Sequence, residues 1–519
     1  MPTHAEAMAN TLAARGVQHV FGLPGGEIVA FMDACRRAGM RFLLTGHEAS
    51  AAWMAQVVGQ ITGVPGVCAA TLGPGATNLV TAVANAYLDR APMLAVTAQM
   101  PASAIDTMTH QRLPLDRLFS PITKSSLAVG GGDTAALVNG AIDLAAAPRP
   151  GPVHIALASD LAVKECHSAP STPPAKPPIP TIDLTPVADR LQRASRPLVV
   201  IGLGATVSDA AAIRDLVDRL HAPFLVTPKV KGIIPEDHPL FLGVASGMAI
   251  DRDILETSRS ADLILSIGFD PVECDKTWFA DVEVVSIDSA SMAAGRYRPL
   301  EAIGNIASLT AALDPEPKPW PPELLAQRRN AINRTPASGL SPLRLIEELR
   351  SVFPRDGIAT CDVGSHKLLM GQFWRAYEPG TFFMSNGLSG MGFGLPAAIA
   401  AQLVKPGKPV MAVVGDGGML MMLHDLALIR ELALPLIVVV LSDRTLSLIR
   451  VSEERRGIAP LGVDFTPPDF AKIAESFGLP ASKAATIDDA RAAAERALQS
   501  RTPVLIDVPI DYSEYYDLV

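Results

Sequence analysis

The sequence has no uninterrupted apolar run approaching the ~20 residues that a membrane-spanning helix needs. Its N-terminus has no basic segment followed by an apolar core, so no secretory signal peptide is predicted. The formal net charge of −9 is spread without long runs of one sign, which argues against nucleic acid or an anionic membrane as a partner. We therefore expect a cytoplasmic protein that binds neither nucleic acid nor a membrane.

Cysteine is scarce, and the five cysteines are scattered without a CxxC pair. This usage predicts reduced thiols and no zinc site. Apolar residues, in contrast, make up 49% of the chain, so large hydrophobic cores can form and little disorder is expected. A length of 519 residues predicts about three domains.

Two proline-rich stretches divide the sequence, and such stretches form stiff, extended linkers. We place the linkers at 166–181 and 314–334, which leaves domains at 1–165, 182–313 and 335–519. Each domain alternates strand-like apolar runs with helical patterns. This alternation predicts an α/β fold with three doubly wound parallel-sheet domains.

The segment 409–450 carries the most informative pattern. Apolar runs at 410–414 and 436–441 flank a helical pattern, which predicts a βαβ unit with parallel strands. Asp416 and Asp443 follow the two runs, at the strand ends where open α/β sheets bind ligands. Carboxylate oxygens there suit a hard divalent cation that holds a diphosphate. The alternative is a tight glycine turn beside an unrelated surface aspartate.

Glu48 follows another apolar run, at 42–44, and precedes a helix rich in small residues. A partly buried carboxyl group in this setting can exchange a proton near neutral pH. The alternative is a helix N-terminal glutamate that is stabilised only by the helix dipole.

The spacing in the 409–450 segment resembles the cofactor motif of thiamine diphosphate (ThDP)-dependent enzymes. A Gly-Asp-Gly sequence ends at Gly417, and 24 residues separate Gly417 from Ser442. The resemblance implies that Mg²⁺ is held by the side chains of Asp416 and Asp443 and the backbone carbonyl of Thr445. The chain departs from the family in one place, because Ser442-Asp443 stands where most members have Asn-Asn.

The motifs FGLPGG, GHEASAAWMA, GPGATN and AYLDRAPMLAVTAQ resemble, in order, the pyrimidine-binding domain of the acetolactate synthase and pyruvate oxidase group. The resemblance implies that Glu48 hydrogen-bonds N1′ of the cofactor's aminopyrimidine ring. It also implies cofactor contacts from Pro24, Gly25 and Asn78.

The third domain resembles the diphosphate-binding domain of the same family. Met391 matches the apolar residue that holds ThDP bent, although a methionine there can simply fill core space. A histidine at 366 would otherwise be interpreted as a cap or surface residue. The residues expected near the diphosphate are Gly364, Ser365, His366, Gly415, Gly417 and Gly418.

The segments 109–112 and 118–124 resemble the FAD-free catabolic acetolactate synthases. The resemblance places Gln111 near the substrate, whereas His110 is either a proton donor or a packing residue. After Asp270 the chain continues Pro-Val-Glu, without the Asp-Asp-Arg pattern of the FAD-containing biosynthetic enzymes. We therefore expect ThDP and Mg²⁺ as cofactors and no FAD.

By this resemblance, the chain is a carboligase that decarboxylates a pyruvate-like 2-oxo acid and transfers the acyl group to a carbonyl acceptor. The family further implies a homodimer or homotetramer with active sites at subunit interfaces. One alternative is a 2-oxo acid decarboxylase or aldehyde lyase, similar to benzoylformate decarboxylase. Another is a ThDP-binding subunit without catalysis. The segment 446–454 differs from acetolactate synthases, and Arg450 within it either holds a carboxylate or is solvated.

Overall fold

The computed structural model describes residues 1–101, 103–105, 107, 109–167, 182–245, 251–274, 279 and 281–518. These residues form three parallel, six-stranded sheets with helices between the strands, which confirms the predicted α/β class. Each sheet lies within one predicted domain range, while the domain boundaries themselves stay predictions. Most of the first predicted linker, from residue 168 to 181, lies outside the described residues.

The first sheet has the strand order β2-β1-β3-β4-β6-β5. Its first helix begins where Thr3 and Glu6 form a reciprocal capping box, which satisfies backbone N–H groups at the helix start. The strands are β1 (His19–Leu23), β2 (Arg41–Leu44), β3 (Gly66–Ala70), β4 (Met93–Gln99), β5 (Ser125–Ala128) and β6 (Pro152–Ala158). The helices are α1 (His4–Ala14), α2 (Val29–Arg37), α3 (Glu48–Thr62), α4 (Pro74–Leu88), α5 (Leu115–Phe119), α6 (Thr134–Ala146) and α7 (Ser159–Ala162).

The central sheet has the order β12-β11-β10-β7-β8-β9. Its strands are β7 (Pro197–Ile201), β8 (Phe224–Val226), β9 (Phe241–Val244), β10 (Leu263–Ile267), β11 (Glu283–Asp288) and β12 (Leu300–Ile303). The helices of this region are α8 (Thr185–Arg193), α9 (Ala210–Leu220), α10 (Asp251–Arg259), α11 (Ile306–Ala312) and α12 (Pro322–Ile332). Helix α12 lies in the second predicted linker, where extended chain was expected, because proline is well tolerated in the first turn of a helix.

The third sheet has the order β14-β13-β15-β16-β18-β17. Its strands are β13 (Ile358–Cys361), β14 (Phe382–Met384), β15 (Val410–Gly415), β16 (Leu436–Ser442), β17 (Ala481–Lys483) and β18 (Val504–Pro509). The helices are α13 (Pro342–Val352), α14 (Ser365–Phe373), α15 (Gly394–Val404), α16 (Asp416–Met421), α17 (Leu426–Glu431), α18 (Ser447–Arg455), α19 (Phe470–Ser476), α20 (Ile487–Ser500) and α21 (Tyr515–Leu518).

The predicted βαβ unit at 409–450 is present, with β15 and β16 adjacent and parallel. Its helix is not continuous, because a 3-10 turn at Leu423–Asp425 separates α16 from α17. The described chain contains seven such 3-10 segments: Gly26–Ile28, Ser120–Ile122, Val207–Asp209, Pro228–Val230, Pro271–Glu273, Leu423–Asp425 and Tyr512–Glu514.

The chain forms two compact units. The first unit holds Met1–Lys176 together with Gly387–Gly407 and Met422–Leu434, and so contains the first sheet with α15 and α17. Within it, Trp53 of α3 meets Phe393 edge-on, with ring centroids 5.4 Å apart. The second unit holds the central and third sheets and consists of Pro177–Asn386, Lys408–Met421 and Pro435–Val519.

Cys35, Cys68, Cys166 and Cys361 are buried free cysteines. Burial raises the pKa of Cys35 and of Cys68 to about 12, so these two thiols stay protonated and unreactive. Across the described ranges, no helix combines the length and the apolar character that crossing a membrane requires.

Candidate active site

Glu48 is the first residue of α3, and it is buried, with 4% of its surface exposed. The ring of His47 caps the helix, since its Nδ1 accepts the N–H of Ala49 at 3.0 Å. Asn78 of α4 donates from Nδ2 to Glu48 Oε2 at 2.9 Å. The structure therefore brings together two predicted site residues that lie 30 positions apart.

Glycine at position 75 leaves space beside this pair. A Cβ atom on Gly75 would lie 3.3 Å from Glu48 Oε1 and 2.9 Å from Thr71 Cγ2. A Cβ atom on Gly25 would also crowd Thr71, at 2.5 Å from its Cβ. The hydroxyl of Thr71 in turn donates to Glu27 Oε2 at 2.7 Å. The carboxyl edge of the first sheet is thus tightly packed around one buried carboxyl group.

The other residues predicted in this domain are more exposed. Pro24 lies on the surface, next to Gly25. Gln111 is exposed with φ +57°, and it packs beside Gly73, the residue before α4. His110 is exposed too. Exposure at this edge leaves Gln111 accessible to a small molecule, whereas His110 packs in no core.

Met391 lies in the first unit, in the loop before α15, and it is half-buried. The flanking Gly392 has φ +88°, and a Cβ atom on it would lie 2.5 Å from Cε of Met422. A side chain at position 392 would therefore be strained and crowded. The glycines hold Met391 on a close-packed loop and leave part of its side chain uncovered.

Sequence reasoning missed a polar cluster in the first unit. Ser50 Oγ donates to Asp425 Oδ2 at 2.7 Å and lies 3.1 Å from His424 Nε2. Burial raises the pKa of Asp425 to about 7. The one available signal was a lone aspartate within an apolar helical pattern, and nothing in the sequence named Ser50 as its partner.

In the second unit, Asp416 and Asp443 follow the neighbouring strands β15 and β16. Asp416 is 2% exposed and accepts two N–H groups, from Gly417 at 2.8 Å and from Arg444 at 2.8 Å. Burial and the charge of Asp443 raise the pKa of Asp416 to about 7. Burial also raises the pKa of Asp443. A bound cation would relieve the cost of charging this pair.

Ser442, the departure from the family's usual motif, has a defined role in the fold. Its hydroxyl donates to Asp507 Oδ1 at 2.6 Å, on the adjacent strand β18. Burial raises the pKa of Asp507, and the charge of Asp507 contributes to the raised pKa of Asp416. An additional carboxyl group therefore adds to the negative potential at this edge.

Thr445 is buried, and its hydroxyl donates to the carbonyl oxygen of Val463 at 3.3 Å. Beside it lies an open cavity of about 420 Å³, lined by Asp443, Arg444, Thr445, Asp464, Phe465, Thr466 and Tyr512. Over the residues that the structure describes, no cluster of three or more His, Cys, Asp or Glu side chains has metal-site geometry. A cation at Asp416 and Asp443 would need further oxygen ligands, such as backbone, water or phosphate.

His366 is buried between two glycines. A Cβ atom on Gly364 would lie 2.8 Å from the imidazole Cε1, and one on Gly415 would lie 3.0 Å from it. Burial lowers the pKa of His366 to about 4, so the ring is neutral near pH 7. Its Nε2 has no hydrogen-bond partner among the described residues. A buried ring nitrogen without a partner fits a site that a polar ligand completes.

The remaining predicted residues lie close by in the second unit. Ser365 begins α14, and its hydroxyl accepts from Ser447 Oγ at 2.9 Å. A Cβ atom on Gly418 would overlap the Asp362 carboxylate. Gly417 donates its N–H to Asp416, as described above. Glycines that clear space, an unpartnered imidazole nitrogen and paired carboxylates together fit a diphosphate with a divalent cation.

Three family models of thiamine pyrophosphate enzymes match most of the chain. The N-terminal TPP binding domain matches residues 2–118, the central domain matches 184–314, and the C-terminal TPP binding domain matches 362–508. The three-sheet fold agrees with this result. The chain therefore belongs to the thiamine diphosphate-dependent enzymes.

Within that family the chain is similar to acetolactate synthases. It is 32% identical to the acetolactate synthase of Bacillus subtilis, with 99% of this chain and 94% of the relative aligned. It is 31% identical to the probable acetolactate synthase large subunit of Methanocaldococcus jannaschii, over 99% and 93% of the two chains. It is 31% identical to the large subunit of acetolactate synthase isozyme 2 of Escherichia coli, with 98% of this chain and 96% of the relative aligned. The resemblance inferred from the motifs is confirmed.

Proposed function

We propose that the protein is a ThDP- and Mg²⁺-dependent carboligase of the acetolactate synthase type, acting in the cytoplasm on pyruvate or a similar 2-oxo acid. The acyl group left after decarboxylation is transferred to a carbonyl acceptor, either a second 2-oxo acid or an aldehyde. The observation that carries this proposal is the similarity to acetolactate synthases over 98–99% of the chain. The buried Glu48–Asn78 pair supports it, because it retains a carboxyl group suited to proton exchange.

The residues of the first unit carry the proton chemistry in this proposal. When bound, ThDP supplies a carbon nucleophile and an acceptor for the electrons released with carbon dioxide. Glu48 would hold and move a proton at its carboxyl oxygens. Asn78 fixes the orientation of that carboxyl group through its bond to Oε2. Gln111 would contact the substrate, and Met391 would support the cofactor.

The residues of the second unit bind the diphosphate end. Asp416 and Asp443 would hold Mg²⁺ through their side chains, and Thr445 would hold it through its backbone carbonyl. His366, through its unpartnered Nε2, and Ser365 would hold the diphosphate. Pro24 and Gly25 of the first unit would contact the pyrimidine end. The glycines at 364, 415, 417 and 418 allow the diphosphate to approach the backbone.

Product analysis tests the reaction. Purified protein is supplied with ThDP, Mg²⁺ and pyruvate, and pyruvate loss and product identity are followed by NMR. Acetolactate as the main product, absent in Glu48→Gln and after metal removal with EDTA, supports the carboligase. Acetaldehyde alone would instead assign the chain to the decarboxylases. If ThDP is demonstrably bound and pyruvate is not consumed, pyruvate is rejected as the donor. If no 2-oxo acid is turned over, the chain is instead a ThDP-binding subunit without catalysis.

Arg450 does not favour a second function. It donates to Asp464 Oδ1 at 2.6 Å and to Glu454 Oε1 at 3.2 Å. Its guanidinium is therefore engaged by two carboxylates of its own region, rather than free to bind a substrate carboxylate. We base no alternative substrate on this residue.

We also propose a homodimer or homotetramer in which each active site takes Glu48 from one subunit and Asp416 from another. Mixing two inactive variants tests this arrangement. If Glu48→Gln and Asp416→Asn chains are denatured together and refolded, half of the dimers are mixed, and each mixed dimer holds one intact site. About a quarter of the wild-type activity should return. If one chain supplied both residues, no mixed site would be intact and activity would stay absent.

A further inference from the structure

The central sheet has the topology of a dinucleotide-binding fold. Counted from β7 as the first strand, its order is 6-5-4-1-2-3, and all neighbouring strands are parallel. Read from the opposite edge, this is the order 3-2-1-4-5-6, which binds ligands where the strand order reverses. That point lies between β7 and β10.

The turn Gly202–Thr206 occupies this point. It follows β7, and a Cβ atom on Gly204 would lie 3.0 Å from the Cα of Gly268, just after β10. In dinucleotide-binding proteins, N–H groups of such a turn and of the following helix face the pyrophosphate.

Every N–H group from residue 202 to residue 206 already donates a hydrogen bond within the chain. Three of the acceptors are backbone carbonyl oxygens, and two are carboxylates. The bonds are Gly202 to Ile267 O (2.9 Å), Leu203 to Glu273 Oε2 (2.8 Å), Gly204 to Gly268 O (2.7 Å), Ala205 to Gly202 O (2.9 Å) and Thr206 to Asp209 Oδ2 (2.8 Å).

The Glu273 carboxyl group also fills the space of a ligand. Glu273 is 5% exposed, and a Cβ atom on Gly202 would lie 2.8 Å from its Oε2. Its Oε2 thus lies against Gly202 and accepts the N–H of Leu203, and in both respects it occupies the place that we expect for a phosphate oxygen. Burial raises the pKa of Glu273 to about 8, so the group is protonated near pH 7, which reduces the cost of burying it.

Further oxygen atoms at the same sheet edge make it unsuitable for a phosphate. Asp288, the last residue of β11, is fully buried, and its Oδ1 would lie 3.3 Å from a Cβ atom on Gly204. Among the described residues, Asp288 Oδ2 and Glu273 Oε1 have no hydrogen-bond partner. A phosphate requires several donors, whereas these two carboxyl groups present acceptor oxygens and, with Glu273 protonated, a single O–H donor.

We propose that Glu273 is a built-in substitute for a dinucleotide phosphate, and that it closes the central domain of this chain to FAD and other dinucleotides. The FAD of some related enzymes therefore does not fit beside the Gly202–Thr206 turn, because the Glu273 side chain fills the space. This inference is independent of the proposed reaction, because it concerns only the central sheet.

Nucleotide binding measured by isothermal titration calorimetry tests the proposal. Wild-type protein and its variants are first saturated with ThDP and Mg²⁺, which fill the proposed diphosphate site; the wild type should then bind neither FAD nor ADP at concentrations up to about 1 mM. Glu273→Ala frees the Leu203 N–H and the adjoining space, so its dissociation constant for ADP should be at least about tenfold lower than that of the wild type. Glu273→Gln keeps an acceptor oxygen and the side-chain volume, and it should behave like the wild type.

Two results would overturn the proposal: FAD or ADP binding by the wild type, or equal ADP binding by the Ala and Gln variants. Should Glu273→Ala fail to fold, amide hydrogen exchange of wild-type protein provides a second measurement. The Leu203 N–H should exchange as slowly as the amides of β7, and addition of ADP should leave its rate unchanged. Fast exchange at Leu203, or slowing by ADP, would show that this N–H group is available to a ligand.

Discussion

The first and third sheets have the same strand order but carry different chemistry at their carboxyl ends. Numbered within each sheet, both run 2-1-3-4-6-5. The first turn of α4, after the third strand of the first sheet, contains Gly75, which leaves room for the buried Glu48. At the equivalent point the third sheet continues with Asp416, and the like charge of Asp443 contributes to the raised pKa of Asp416. One topology therefore places a single buried carboxyl group at one edge and two neighbouring carboxyl groups at the other, for which we propose proton exchange and cation binding respectively.

Replacing Glu48 by glutamine should have the largest effect on this comparison. Gln keeps the hydrogen bond with Asn78 but cannot exchange a proton, so we expect kcat to fall roughly 100-fold or more. ThDP binding, followed by calorimetry, should change little. Glu27→Gln is the matched control at the same sheet edge, and it should retain activity. Equal losses in both variants would remove the special role assigned to Glu48.

Replacing Asp416 by asparagine should produce the opposite pattern, with binding lost before chemistry. We expect the apparent affinity for Mg²⁺, measured through Mg²⁺-dependent ThDP binding, to fall by at least the roughly 10–100-fold that an outer-shell metal partner typically contributes. Asp443→Asn is the control, because it restores the residue usual in the family. If Asp416→Asn bound Mg²⁺ like the wild type, the metal site would have to lie elsewhere.

A methyl group at Gly418 should damage the edge of the third sheet by steric overlap. The Cβ atom of Gly418→Ala would overlap the Asp362 carboxylate, so we expect a loss of unfolding free energy of about 1–3 kcal/mol and weaker ThDP binding. At Gly407, by contrast, a Cβ atom would meet no heavy atom within 4 Å. Thermal unfolding of Gly407→Ala should match the wild type. Similar losses in the two variants would indicate a general glycine effect.

Asp425 gives the smallest and most pH-dependent effect. Its pKa of about 7 lies above the ordinary 3.8, so the folded state favours the protonated form. This contribution to stability is complete below pH 3.8 and is lost as the pH rises to about 7. Asn at position 425 cannot ionise and can still accept from Ser50. The free energy of unfolding of Asp425→Asn, relative to that of the wild type, should therefore rise by about 2 kcal/mol as the pH goes from 5 to 8, measured by thermal unfolding.

The partly exposed Asp33 is the control for this pH effect. Hydrogen bonding and charge from Arg36 and Arg37 lower its pKa, so Asp33→Asn should lose a little stability as the pH rises through the acid range. The two variants thus predict opposite signs. Nε2 of His424 lies 3.4 Å from Oδ1 of Asp425. Burial and the charge of His47 lower the pKa of His424, so at neutral pH the His424 ring is uncharged and does not stabilise the Asp425 carboxylate. A pH-independent difference between Asp425→Asn and the wild type would disprove the buried titration.

The sequence predicted the elements whose information is local. The apolar runs at 410–414 and 436–441 agree with β15 and β16 to within one residue at each end, because fully buried parallel strands are continuous apolar segments. Asp416 and Asp443 could be paired in advance, since residues that follow adjacent parallel strands meet at one edge. Glu48 was recognisable because its strand, glycine turn and small-residue helix lie within one short stretch.

Contacts between distant segments were decided only by the tertiary structure. Ser50 bonds Asp425 across 375 positions, Ser442 bonds Asp507 across 65, and Leu203 bonds Glu273 across 70. The pattern at 271–273 argued only that a family motif was missing. The fold added that Glu273 accepts the N–H of a turn on another strand. Local periodicity specifies strands and helices, whereas which buried polar groups satisfy one another depends on how the sheets bring remote residues together.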